Sequence, residues 1–274
     1  MIDAEMMKDS LPATHDVVVT DQNNKKRNVA IPGESPLTIK LDGREIVTIM
    51  TLGTNPRELV LGFIRNQGLI EDIADVKSVD INWETETANI RIKPGKGLNG
   101  ISERLSKRTV TSGCGGGTLF AQNMDELYEL NLPVIKIRQS TIYTLLKQLK
   151  NFNLIYRQAG SVHGCGLCST ADILFFYEDV GRHNAADTIA GRMWLDGISG
   201  ADKILYTTGR LTSEIVIKAA MMGIPALLSR SGVTQMGLEL SQDLGITLIA
   251  RARAKKFYVY HGAENVIFDE TQPN

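Results

Sequence analysis

Lys203-Ile204-Leu205-Tyr206-Thr207, Ala226-Leu227-Leu228-Ser229 and Ile246-Thr247-Leu248-Ile249-Ala250 are three short apolar runs. Two stretches of helical pattern separate them, Thr212 to Met222 and Thr234 to Leu244. Gly223-Ile224-Pro225 stops the first of these just before the second run begins. Such runs alternating with helices read as strands of a parallel or mixed sheet covered on both faces. Working outward, Ser140 opens a helix that carries Ile142, Leu145, Leu146 and Leu149 on one face. Ile173-Leu174-Phe175-Phe176-Tyr177 reads as a strand and Asn184 to Trp194 as a helix, while Phe257-Tyr258-Val259-Tyr260 closes the series.

The first half has a different period. Asp16 to Thr20, Leu37 to Lys40 and Glu45 to Met50 read as short strands. A helix follows, with Asn55 as N-cap, Pro56 in the first turn, Glu58 closing a capping box and Gly68 as the stop. Val79 to Trp83 and Ala88 to Lys93 alternate apolar with polar residues and read as a hairpin. The expected fold class is α/β. A smaller α+β, strand-rich domain spans 1–133, and a mixed-sheet α/β domain with helices on both faces spans 134–274. The expected boundary is near Leu132-Pro133.

Charge and composition narrow the function. With 30 basic and 31 acidic residues among 274, the net charge of −1 excludes a basic nucleic-acid coat. An apolar share of 43% with 22% charged residues fits a soluble, core-forming protein and not a disordered one. Met1 to Asp9 is acidic and lacks the apolar core of a signal peptide, and no run approaches the roughly 20 apolar residues of a membrane helix. The expectation is therefore a cytoplasmic protein. Its odd count of 3 cysteines then points to catalysis or metal binding rather than disulfides.

Five segments have the residue types that chemistry needs. Cys114 stands in Thr111-Ser112-Gly113-Cys114-Gly115-Gly116-Gly117-Thr118, where glycines allow close approach and amide N–H groups would favour a thiolate. Gly160-Ser161-Val162-His163-Gly164-Cys165-Gly166-Leu167-Cys168 reads as a second glycine-rich loop. It admits a redox dithiol, three zinc ligands in His163, Cys165 and Cys168, or small cysteines packed on a buried strand. A deaminase-type zinc site would also want a glutamate two places after the histidine, and Cys165 stands there. Glu178 to Asp187 joins a strand to a helix, so Arg182 and His183 could hold a phosphate at the helix start. Alternatively, Asn184 is the N-cap, Asp187 its partner, and His183 is merely exposed. Thr207 to Ser213 has the same placement, with Arg210 suited to bidentate phosphate contact. Arg251 to Gly262 sets a basic cluster before an aromatic strand, a clamp for a phosphorylated planar ligand or an ordinary edge strand.

Assembled, these residues resemble the FdhD family of formate dehydrogenase accessory sulfur carriers. The resemblance covers most of the chain. It is carried by Asn55 to Ile64 running on to Ile70, Ser112-Gly113-Cys114, Gly160-Ser161-Val162-His163, Gly209-Arg210, Lys218 to Pro225, Phe257 to Tyr260 and, most specifically, Glu178 to Ala185. It implies a cytidine-deaminase-like C-terminal domain and a homodimer. It also implies a sulfurtransferase role, in which a cysteine desulfurase hands sulfur to a loop cysteine as persulfide. That sulfur then passes to a bis-molybdopterin guanine dinucleotide molybdenum cofactor bound for formate dehydrogenase. By the resemblance, Cys114 matches the persulfide cysteine, and Phe257, Tyr258, Val259, Tyr260, His261 and Gly262 match the cofactor-binding segment. Arg182, His183 and Arg210 join them as anion-binding candidates, with a guanine nucleotide as a further ligand. The family often has a second cysteine three places after the first, where this chain has Gly117; its C-x-x-C is at Cys165 and Cys168 instead. The competing readings are a zinc-dependent deaminase-like enzyme, a non-catalytic cofactor-binding chaperone and a thiol oxidoreductase using Cys165 and Cys168.

Overall fold

A computed structural model describes residues 9–94 and 127–270. In chain order the first part contains β1 (Thr14–Thr20), β2 (Lys26–Pro32), β3 (Ser35–Leu41), β4 (Arg44–Thr51), α1 (Pro56–Asn66), β5 (Val76–Asn82) and β6 (Thr87–Ile92). The second contains β7 (Ile137–Arg138), α2 (Gln139–Leu149), α3 (Leu154–Ala159), β8 (His163–Cys168), β9 (Ile173–Asp179), α4 (Arg182–Leu195) and β10 (Ile204–Thr207). It ends with α5 (Ser213–Met221), β11 (Ala226–Ser229), α6 (Gln235–Asp243), β12 (Thr247–Arg253), β13 (Lys256–His261) and β14 (Val266–Ile267).

The three apolar runs form the middle of a six-stranded sheet in the order β13-β12-β11-β10-β8-β9. β10, β11 and β12 are parallel, and β8, β9 and β13 run antiparallel to their neighbours, so the sheet is mixed, as expected. Strand residues alternate between two cores. Leu205, Leu227 and Leu248 face α4, α5 and α6, whereas Ile204, Tyr206, Leu228 and Ile249 face Ile142, Leu145, Leu146 and Leu149 of α2. Helices thus cover both faces.

The first part folds as a four-stranded sheet, β4-β3-β6-β5, antiparallel except where β3 lies parallel to β6. Leu37, Ile39 and Leu41 of β3 point inward and meet α1 through Leu59, Val60, Phe63 and Ile64. β2 has no counterpart in the sequence pattern. Among the described residues it pairs only with β1, in a ribbon whose Val18, Val29 and Ile31 lie open to solvent, so no buried face imposes alternation.

Three local expectations are corrected. The segment 160–168 is not a loop: its residues from His163 onward form β8, an interior strand. Gly164 and Gly166 are there because the Phe176 ring of β9 lies on them; a Cβ at Gly164 would sit 2.4 Å from Phe176 Cζ. Next, α4 starts at Arg182 with Gly181 as N-cap, so Asn184 is inside the helix. Its amide donates to Met50 O and to Asp179. Asp187 instead accepts from the Lys218 Nζ at 2.6 Å and the Asn66 amide at 2.8 Å, tying α4 to α5 and α1. Finally, the Asn55 side chain does not cap α1; it donates to Thr54 Oγ1.

α1 and α4 cross at backbone contact. A Cβ at Gly62 would lie 1.7 Å from Asp187 O, and one at Gly191 would lie 1.8 Å from Glu58 O. Nearby, Asp179 accepts from Thr51 Oγ1, the Leu52 and Gly181 amides and Asn184 Nδ2. Burial pushes its carboxyl up, and these bonds pull it down. The Glu178-Asp179 pair is accordingly structural, because Glu178 accepts from the Ile155 and Tyr156 amides at the start of α3.

Candidate functional site

Strand direction collects the polar loops at one end of the sheet. β10, β11 and β12 run the same way, so Thr207-Thr208-Gly209-Arg210, Arg230-Ser231-Gly232 and Arg251 to Lys256 emerge together at their carboxyl ends. In an open α/β sheet this is where ligands bind. β8 is antiparallel to β10 with Cys165 opposite Thr207, which brings His163 to the same end. Backbone bonds lock the loops: Thr208 N to Gly164 O at 2.9 Å, Arg230 N to Thr207 O at 3.1 Å and Arg251 N to Ser231 O at 2.7 Å. Between Ala250 and Arg253 the β12–β13 register breaks, and Arg251 takes a φ of +52°. Such a bulge re-aims side chains at the edge of a sheet.

Three cavities open here, of about 330, 220 and 350 Å³, and all three share Arg230. They also share Arg253. The first adds Lys150, Arg157, Tyr156 and Tyr206; the second His163, Thr208 and Ser231; the third Arg251, Lys256 and Tyr258. No carboxylate lines any of them among the described residues. The Arg230 guanidinium is 6.0 Å from the Tyr156 ring centre and that of Arg251 is 5.7 Å from Tyr258. Charge beside aromatic faces suits an anionic ligand with planar rings.

His163 is half-buried, with Nδ1 3.5 Å from Thr208 Oγ1. Burial, then the charges of Arg182, His183 and Arg210, hold its imidazole below the usual range. Arg182 lies across Gly209, where a Cβ would be 2.8 Å from its Cδ. Arg210 is exposed. Neither arginine lines the three cavities, though both act electrostatically on His163. His183 is buried rather than exposed, with Nε2 2.8 Å from Glu214 of α5. The aromatic strand divides. Tyr258 lines the groove; Phe257 and Val259 pack toward α2, and Tyr260 packs toward the α4–α6 side. His261 Nδ1 is 2.9 Å from Ile246 O, and Gly262 turns at φ +74° against Thr247. Both therefore sit at the opposite end of the parallel strands. Cys114 lies outside the described residues.

β8 also settles the C-x-x-C. Residues three apart on a strand point to opposite faces. Cys165 enters the core with α4 to α6 and Cys168 the core with α2. A shared zinc or an internal disulfide at this pair is overturned by that geometry. Burial pushes each thiol up to about 12, so neither is a ready nucleophile. The packed-strand alternative holds.

Sequence reading missed Tyr156, Lys150, Arg157 and above all Arg230. A signal was available for Arg230: it follows an apolar strand just as Thr208 to Arg210 does. A sequence profile described as the FdhD/NarQ family matches residues 32–267. This chain belongs to the FdhD/NarQ family. Among relatives, a Listeria innocua protein named sulfur carrier protein FdhD is 32% identical, covering 86% of this chain and 91% of its own. One of the same name from Bacillus subtilis is 30% identical over 95% of this chain and 99% of its own. A crystal structure assigned to a formate dehydrogenase accessory protein of Desulfotalea psychrophila has a TM-score of 0.74 at 26% identity. It covers 93% of this chain and 100% of that one. The α/β fold with its mixed sheet is thus the fold of the family. Among the described residues, no helix is long and apolar enough to cross a membrane.

Proposed function

We propose that this protein is a sulfurtransferase of the sulfur-carrier type, working with a cysteine desulfurase and serving formate dehydrogenase. The Cys114 thiolate attacks the terminal sulfur of a desulfurase persulfide. The S–S bond breaks, its electron pair leaves on the desulfurase cysteine, and Cys114 becomes the persulfide. The acceptor of this sulfur is the molybdenum centre of a bis-molybdopterin guanine dinucleotide, which the protein binds as cargo. The observation that carries the reading is the groove around Arg230 and Arg253, in a family whose relatives are named sulfur carriers. Its cations match pyrophosphates, and the exposed Tyr156 and Tyr258 offer faces to guanine or pterin rings. Arg182 and Arg210 extend the positive field beyond the lining. A homodimer, and a cytidine-deaminase-like description of residues 134–274, belong to the same proposal.

The test is intact mass spectrometry after incubation with a desulfurase and cysteine. Wild type gains the mass of one sulfur atom, reversed by a reductant, and Cys114→Ala gains none. An equal gain in Cys114→Ala, or full formate dehydrogenase maturation by that variant, removes Cys114 from the mechanism.

A further inference from the structure

The smallest cavity differs from its two neighbours in holding a titratable imidazole among fixed charges. Its wall brings His163 together with Arg230, Arg253, Thr208 and Ser231. Two guanidiniums and two hydroxyls suit a phosphate, while a histidine can add or withhold one proton. We propose that this cavity is a phosphate subsite in which His163 takes up a proton as the anion binds, so that the imidazolium is its third cation. The inference rests on the reading of the groove as a site for a nucleotide-bearing cofactor.

The surroundings of His163 support this. Burial first, and then the electrostatic influence of Arg182, His183 and Arg210, favours the neutral ring. Arg230 and Arg253 line the same cavity. The nearby carboxylates are engaged elsewhere. Its cross-strand neighbour Asp179 is held by Thr51, Leu52, Gly181 and Asn184; Glu178 holds the start of α3; Glu214 pairs with His183. An entering phosphate therefore brings the counter-charge that the ring lacks. The sign follows. The ring is neutral before binding and charged after it, so binding consumes a proton and weakens as pH rises.

Diguanosine pyrophosphate separates protein protons from ligand protons. Each of its phosphates carries one ester and one anhydride bond, so neither has the second ionisation near pH 6 that a terminal phosphate has. Calorimetry in buffers of different ionisation heat should show net proton uptake by wild type. The dissociation constant should rise with pH by up to about tenfold per unit, the slope of one proton. His163→Gln should bind with no proton uptake and a flat pH profile. Should that variant not fold, histidine-labelled wild type decides by NMR. One imidazole must become imidazolium on binding, and it must be the ring with contacts to Thr208. Binding without proton uptake, or uptake that persists in His163→Gln, overturns the inference and leaves the groove reading standing. No binding at all overturns both.

Discussion

The crossing of α1 with α4 and the groove at the strand ends are built on opposite terms. At the crossing two backbones touch and there is no room even for a methyl group at Gly62 or Gly191. The groove is under-filled, exposed at Arg230, Arg251 and Arg253, and charged in one sense. Close packing without polar loose ends stabilises a fold; concentrated like charge works against it and is kept for a ligand. Glycine appears at both and means different things. At the crossing it is required by contact, whereas a Cβ added at Gly232 in the groove would meet nothing within 4 Å. The glycines of β8 belong with the crossing, since they make way for an aromatic ring.

Substitution can break this contrast. The largest effect is expected for Gly191→Ala, whose methyl group must displace Glu58 O; overpacking of this kind should cost more than about 3 kcal/mol. A denaturant midpoint within error of wild type would show that the helices can part cheaply. Next comes Lys218→Met, which among the described residues leaves the buried Asp187 carboxylate only the Asn66 amide. Breaking a buried pair by removing one partner costs about 3–5 kcal/mol, and Lys218→Met with Asp187→Leu should recover most of it. A double variant no better than the single would mean the pair contributes more than charge compensation. The smallest effect on folding is expected for Arg253→Ala, within about 0.5 kcal/mol by thermal melt. The same change should weaken diguanosine pyrophosphate binding about tenfold or more, the loss of one charged hydrogen bond. Affinity unchanged by Arg253→Ala would remove the groove from the binding site.

Periodic elements were legible in the sequence and long-range partners were not. Ile142, Leu145, Leu146 and Leu149 announce α2, and the runs at Ile204, Ala226 and Ile246 announce the parallel strands. A buried face imposes its period on the chain, and that period can be read locally. β2 escaped because it has no buried face. β8 was misread because its packing surface is glycine, whose usual meaning is a turn. Half of the site was visible as residue types: Arg251, Arg253, Lys256 and Tyr258 in the fifth segment, His163 in the second. Tyr156 and Arg230 acquire their meaning only from each other, across more than seventy residues of chain.

The sequence alone therefore determined the α/β class, the alternation of strand and helix from Lys203 to Ala250, and membership of the FdhD/NarQ family. These depend on hydrophobic period and on local motifs such as Glu178 to Ala185. Only the tertiary structure decided that Cys165 and Cys168 face opposite cores and that Asp187 serves Lys218. It alone placed His261 at the far end of the sheet from Tyr258. A strand's register and direction decide which side chains share a space, and neither is written in the neighbouring residues.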